Sequence, residues 1–124
     1  MATIKIATFI NNTQEVVFDL SRSIDLHLKS TAKTNEKAVA GVTSGLIGLN
    51  ETVTWEAYHL FKKRYFTSRI IEFTFPLSFT DQMVKGDLKY FSHRHLFEKK
   101  GTGTLMKDEI ILEDEIFTKN CYRI

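Results

Sequence analysis

The chain has 124 residues, enough for one domain over residues 1–124 with its own hydrophobic core and no need of disulfides. Acids and bases are interleaved to a net charge of +2, which excludes a basic stripe for nucleic acid. No apolar run is long enough to span a membrane, and the N-terminus lacks the pattern of a secretory signal. Cys121 is the single cysteine, so we predict a reduced, cytoplasmic protein.

The chain begins with a predicted strand followed by two short helices. Residues 3–10 alternate between apolar and mostly polar side chains, as expected for a strand. Thr13 and Ser23 are good N-cap residues, and each precedes an acidic residue in the first turn of a helix. The residues predicted to be buried in the first helix are Val16, Val17 and Leu20.

Strands account for most of the remaining chain. The alternating or β-rich segments are residues 38–42, 51–60, 64–74, 79–83, 91–97 and 104–112. Pro76 ends the third of these because proline cannot donate to a strand ladder. Turns at Gly86-Asp87 and at residues 100–102 predict consecutive antiparallel hairpins.

One face of the last three strands is neither a dry core nor an open surface. Every second residue there is apolar, aromatic, histidine or aspartate, which predicts the lining of a cavity. Trp55 on an earlier strand is either plain core or a wall for a flat ligand, and the methionines are core or lining. The residues predicted to line the cavity are Glu51, Trp55, His59, Asp81, Met83, Phe91, His93, His95, Met106 and Asp108.

The turn lengths predict which of these residues are paired. A three-residue loop over 86–88 pairs Asp81 with His93, and a four-residue loop after Glu98 pairs His93 with Asp108. We therefore expect His93 between two carboxylates, with a raised pKa. Three interpretations stay open: a satisfied buried polar ladder, a group that orients the polar end of a ligand, or a general acid.

Metal and nucleophilic chemistry have less support. His93 and His95 lie two residues apart on one strand face, about 6.6 Å apart at the backbone, but the sequence indicates no clear third ligand. No serine lies in a nucleophile-elbow context, and Cys121 is far in sequence from both histidines. We predict neither a metal nor another cofactor.

Several segments carry a resemblance to a known superfamily. They are AVAGVTSGLIGLNETVTW (38–55), TSRIIEF (67–73), FTDQMVKG (79–86), FSHRHLFE (91–98) and GTLMKDEI (103–110). These segments, and the order of a strand, two helices and a long meander, resemble small bacterial members of the START-like or SRPBCC superfamily. That superfamily includes polyketide cyclases and relatives of the birch-pollen allergen. The resemblance implies an α+β helix-grip fold, with a curved antiparallel sheet and two short helices after the first strand.

The resemblance also implies a range of functions. The first is binding of a hydrophobic or amphipathic small molecule that is lipid-, isoprenoid- or polyketide-like. The alternatives are a cyclase- or dehydratase-type enzyme that uses His93 with Asp81 and Asp108, and a structural partner-binding domain.

The superfamily usually ends with a long helix that closes the cavity. Here residues 113–124 allow a helix of about ten residues, roughly 15 Å long. We therefore expect a truncated C-terminal helix. In its place, a homodimer or an exchange of elements between subunits would cover the cavity.

Overall fold

The computed structural model describes residues 1–31, 35–59 and 61–114, with only the backbone of His59. Within these residues the fold is one antiparallel sheet of seven strands and two short helices, in the strand order β1-β7-β6-β5-β4-β3-β2. The elements are β1 (Ala2–Ile10), α1 (Gln14–Ser21), α2 (Ile24–Ser30), β2 (Lys37–Gly41), β3 (Thr52–His59), β4 (Lys62–Thr74), β5 (Ser78–Lys85), β6 (Tyr90–Lys100) and β7 (Gly103–Glu113).

The topology is a meander closed by the first strand. Each of β2 to β6 pairs with the next strand along the chain, and β1 pairs antiparallel with β7 at the far edge. Helix α1 packs against β6 and β7, which defines the inner face of the sheet. No helix in the described part of the chain is both long and apolar enough to traverse a lipid bilayer.

Both predicted helix starts are confirmed. The Thr13 hydroxyl accepts a hydrogen bond from the Val16 amide at 3.3 Å, and the Ser23 hydroxyl accepts one from the Leu26 amide at 3.2 Å. Each bond satisfies one of the amides that a helix leaves free at its N-terminus. The predicted C-terminal segment starts at Glu113, which instead ends β7. Its remainder from residue 115, with Cys121, lies outside the described residues.

The buried side of α1 differs from the prediction. Val17 is buried as expected, but Val16 and Leu20 are 41% and 47% exposed. The sheet-facing stripe instead contains Phe18 and Ser21, and it begins at Gln14, whose side chain donates to the Phe97 carbonyl at 2.8 Å. Positions 14, 17, 18 and 21 have the spacing of one helix face, so packing selected this stripe over its neighbour.

Phe18 is the centre of the hydrophobic core. Its ring is fully buried and meets four other aromatic rings at centroid distances between 5.0 and 5.2 Å. Edge-on and tilted contacts of this kind suit the charge distribution of aromatic rings. The ring therefore joins α1 to the inner face. Its four partners are Phe73, Phe75, Phe79 and Phe97.

The predicted strand pairing is correct for β5 with β6 and wrong for β6 with β7. Asp81 does pair with His93, but Asp108 pairs with His95. The reason is a two-residue turn, Gly101-Thr102, in place of the predicted four-residue loop. Gly101 has a φ of +61°, which suits the first position of a type II′ hairpin turn. A slip of two residues keeps every side chain on its face and changes only its partner.

The strand boundaries differ mainly at one hairpin. Residues 61–63 are predicted to form a turn, yet β4 begins at Lys62. The chain reverses more tightly, around Phe61 in the left-handed region with a φ of +65°.

Candidate functional site

A cavity of about 400 Å³ lies between the inner face of β3 to β6 and the start of α2. This volume is within the range of pockets that hold small organic ligands, roughly 300–1,000 Å³. Most of its wall is apolar, and Asp81, His93 and His95 form a group of titratable side chains on β5 and β6. The other titratable side chains of the wall are Arg22, His27, Glu36, Arg64, Tyr65 and Asp87. The apolar wall includes Ile24, Ile47, Val53, Trp55, Ile70, Phe79 and Phe91.

Half of the residues predicted to line this cavity lie on its wall. They are Trp55, Asp81, Phe91, His93 and His95. Asp108 is not part of the described wall, but its carboxylate contacts both histidines. The side chain of His59 is outside the described part of the structure. The role of these residues in binding stays a prediction.

The other three predicted residues are absent from the described wall. Met106 packs against the core, with its Sδ atom 3.5 Å from the Ser21 hydroxyl. Met83 packs over the Gly86 turn. Glu51 accepts the Gly48 amide at 2.7 Å in the loop before β3. Alternation placed these side chains on a face, but the cavity occupies only part of that face.

Asp81, His93, His95 and Asp108 form a compact group, called here the His–Asp cluster. The His95 Nε2 atom lies 3.0 Å from Asp81 Oδ2, and its Nδ1 atom lies 3.4 Å from Asp108 Oδ1. The His93 Nε2 atom lies 2.8 Å from the same Asp108 oxygen. All four side chains are mostly buried, between 12% and 22% exposed.

His95 is therefore the histidine between the two carboxylates, and the prediction that His93 occupies this position is wrong. The pairing of β6 with β7 explains the difference, because it sets Asp108 opposite His95. The His95 ring is also stacked, on Phe79 at a centroid distance of 4.1 Å and on His93 at 3.8 Å. Strand register and ring packing together fix its orientation.

The cluster shifts the pKa values of two of its members. Burial acts to lower the pKa of His95, but hydrogen bonds to Asp108 and Asp81 and the charges of both carboxylates outweigh it. The pKa of His95 is therefore raised above 6.5. Hydrogen bonds from His93 and His95 hold the pKa of Asp108 far below its ordinary value, against the opposing effect of burial.

Three members of the cluster have the residue types of a metal site. Potential ligand atoms of Asp81, His93 and His95 all lie within 4.8 Å of one another. Asp81 is therefore a third candidate ligand beside the two histidines, which the sequence did not indicate. The two imidazoles are stacked with an interplanar angle of 19°. Lone pairs in nearly parallel ring planes do not point at a common position, so one ion could bind both only after a ring rotates.

Two side chains of the helical region complete the wall and were not predicted from the sequence. The His27 ring of α2 lies against Trp55 in a tilted contact, with ring centroids 4.2 Å apart. Arg22, at the end of α1, lies on the wall and over the Phe73 ring. Both are in the helical region, where alternation along strands gives no information. A capped second helix beside a sheet was the available signal that some of its side chains would face the cavity.

Comparison with known proteins identifies the architecture. No family model matches the chain, and a search of curated proteins finds no match. Many solved structures have a similar fold, and three of them follow. TTHA0849 from Thermus thermophilus has a TM-score of 0.72 at 19% identity, over 98% of this chain and 82% of that one.

The other two structures are more distant in sequence. Ginseng major latex-like protein 151 from Panax ginseng has a TM-score of 0.66 at 16% identity, over 92% of this chain and 80% of that one. Ara h 8.0201 has a TM-score of 0.70 at 14% identity, over 92% of this chain and 78% of that one. These similarities, with the seven-stranded antiparallel sheet and its two short helices, show that the chain has the helix-grip fold.

Proposed function

We propose that this protein binds a hydrophobic or amphipathic small molecule, lipid-, isoprenoid- or polyketide-like, between its sheet and helices. The observation that carries the proposal is the cavity of about 400 Å³, whose wall is mostly apolar and holds one buried polar cluster. Pockets for small molecules combine these two features, because apolar area supplies affinity and a few polar groups fix orientation.

The two parts of the wall have separate roles in this proposal. Apolar burial contributes about 25 cal/mol for each Å² removed from water. Trp55 and Phe91 offer flat surfaces for a ring or chain. The Phe91 ring is perpendicular to that of Phe66, with ring centroids 5.4 Å apart. Asp81 and His93 hold the polar end of the ligand.

The helix-grip fold and the cavity between its sheet and helices support membership of the START-like or SRPBCC superfamily. We expect a cytoplasmic location. That superfamily contains binders, transporters and enzymes, so its fold does not decide the function. The cavity wall is the feature that favours binding.

Catalysis is the second candidate, favoured by two histidines that lie on the cavity wall beside carboxylates. Both ring nitrogens of His95 face carboxylate oxygens, whereas only the Nε2 atom of His93 faces one. A cyclase- or dehydratase-type reaction would therefore use His93 for proton transfer to the substrate, with His95 and the carboxylates holding it in place. Replacement of His93 by asparagine would then remove turnover and leave binding of an uncharged dye, which depends on the apolar wall, intact.

We also propose that a second copy of the chain covers the edge of the inner face formed by β1 and β7. Ile4 and Ile6 pair there with Ile110 and Asp108, and they are 43% and 50% exposed. Exposed apolar side chains beside a cavity are a common basis for dimer contacts.

The direct test of binding is titration with N-phenyl-1-naphthylamine, an uncharged dye that fluoresces in apolar surroundings. We expect a saturable increase in fluorescence with one dye bound per chain. The matched control is the same protein unfolded in urea, which should give no saturable signal. Absence of saturable binding by the folded protein would contradict the proposal.

A further inference from the structure

We infer that the cavity selects ligands whose polar end donates hydrogen bonds, a hydroxyl or an ammonium, over ligands that end in a carboxylate. This inference rests on the proposed binding function and adds the chemistry of the recognised group. It follows from the hydrogen-bonding capacity that the His–Asp cluster leaves unused, and from the pairing of every cation on the described wall.

The N–H groups at the contacts within the His–Asp cluster donate to carboxylates of the same cluster. Each ring nitrogen of His95 faces a carboxylate oxygen, Asp81 Oδ2 at 3.0 Å and Asp108 Oδ1 at 3.4 Å. An imidazole can donate from both nitrogens only when it is protonated. His93 directs its Nε2 atom to Asp108 at 2.8 Å. No proton of these contacts is left for a ligand.

What the cluster still offers is acceptor capacity. Asp81 lines the cavity, and only its Oδ2 atom has a described hydrogen bond, so its Oδ1 atom is available. Two carboxylates, Asp81 and Asp108, flank the single imidazole of His95, so this end of the cavity is rich in hydrogen-bond acceptors and in negative charge. A group that donates hydrogen bonds fits this end of the cavity, and a second anion does not.

The cations elsewhere on the described wall are paired with acids. Arg22 Nε lies 2.9 Å from Asp19, and its Nη1 atom donates to the Ile47 carbonyl at 3.1 Å. Arg64 lies 3.6 Å from Asp87.

The remaining titratable groups of the described wall supply no cation that could pair with a ligand carboxylate. His27 lies 3.6 Å from Glu36, and no lysine belongs to the described wall. A buried ligand carboxylate would therefore lose its hydration without gaining a counterion, which is costly.

The test compares three ligands that differ only at one end: decan-1-ol, decylamine and decanoate. Each competes with N-phenyl-1-naphthylamine for the wild-type protein at about pH 7.5, where decanoate is ionised. We expect the alcohol and the amine to displace the dye at concentrations at least about tenfold lower than decanoate.

An Asp81→Asn variant links the selectivity to the cluster. It removes one negative charge and keeps the shape, so the disadvantage of decanoate should fall several-fold. The matched control is Glu109→Gln, which makes the same change of charge on β7 one residue from Asp108, on the opposite face of the sheet. This control should keep the wild-type order of the three ligands.

The outcomes separate this inference from the function on which it rests. If the dye does not bind, the proposed function fails. If the dye binds and decanoate competes as well as decan-1-ol, the function stands and the selectivity is wrong. Because the wild-type comparison gives this answer, the result does not depend on whether Asp81→Asn folds.

Discussion

His95 and Asp108 are directly opposed on β6 and β7, and the Nδ1 atom of the histidine lies 3.4 Å from the carboxylate. The opposite ring nitrogen faces Asp81 on β5. One imidazole therefore connects three adjacent strands across the inner face. This connection makes the cluster part of the structure that holds the sheet together as well as part of the cavity wall.

Stability should depend on pH through this histidine. Folding raises the pKa of His95 above 6.5, so its contribution is fully present below about that pH and is lost as the pH rises through the raised pKa. Folding lowers the pKa of Asp108, so its contribution is present above 3.8 and is lost as the pH falls further. We expect the melting temperature to fall as the pH rises above about 6.5 and through the raised pKa of His95.

His95→Asn tests this origin of the pH dependence. The variant should melt at a lower temperature than the wild type near pH 6 and should lose most of the fall toward high pH. His27→Asn, on α2 outside the cluster, is the matched control and should retain the fall. If the melting temperature of His95→Asn fell with pH as steeply as that of the wild type, other groups would be the cause of the pH dependence.

Replacement of Phe18 by alanine should be the most damaging change in α1. The ring is fully buried against four aromatic rings, and truncation of such a residue costs about 3–5 kcal/mol. Leu20→Ala, two residues away and half exposed, should cost less than about 1 kcal/mol. Urea denaturation measures both free energies of unfolding. Equal losses would mean that Phe18 does not have the central place in the core that its contacts indicate.

Trp55→Ala should weaken binding of N-phenyl-1-naphthylamine about tenfold, because the ligand loses an aromatic wall worth about 1.5 kcal/mol. Tyr58→Ala is a control on the opposite face of the same strand, β3, where its ring is 58% exposed. This variant should bind the dye as the wild type does. Equal weakening in both variants would place the dye outside the cavity.

The proposed dimer is tested by light scattering at high micromolar concentration. We expect the mass of two chains for the wild type, and a lower mass for Ile6→Lys, which puts a charge in the exposed apolar face of β1. Thr3→Lys, on the other face of the same strand, is the control and should stay dimeric. A wild-type protein that is monomeric at all concentrations would remove this proposal.

The sequence predicted the helices and most strands because caps, turns and alternation are local signals. It could not determine the pairing of β6 with β7. Lys100-Gly101-Thr102 is compatible with both a two-residue and a four-residue loop, and either choice keeps His95 and Asp108 on the inner face. The turn conformation at Gly101 therefore decides which histidine lies between the carboxylates. The apolar pattern does not determine this conformation.

The error in α1 has a similar cause. Val16 and Leu20 form one apolar stripe, and Val17 and Phe18 form the next, so the helix sequence alone allows either to face the sheet. The aromatic side chains of β4, β5 and β6 decide the choice, because only Phe18 fills the space between them. His27 and Arg22 were missed because tertiary packing directs side chains from the helical region into the cavity.

The most direct test of ligand binding in the cavity uses the indole N–H signal of Trp55 in a ¹H–¹⁵N spectrum. Trp55 is the single tryptophan, so this signal needs no further assignment. Addition of decan-1-ol should shift the signal progressively until it saturates, at the concentrations that displace N-phenyl-1-naphthylamine. An indole signal that stays in place while decan-1-ol displaces the dye would contradict binding in the cavity.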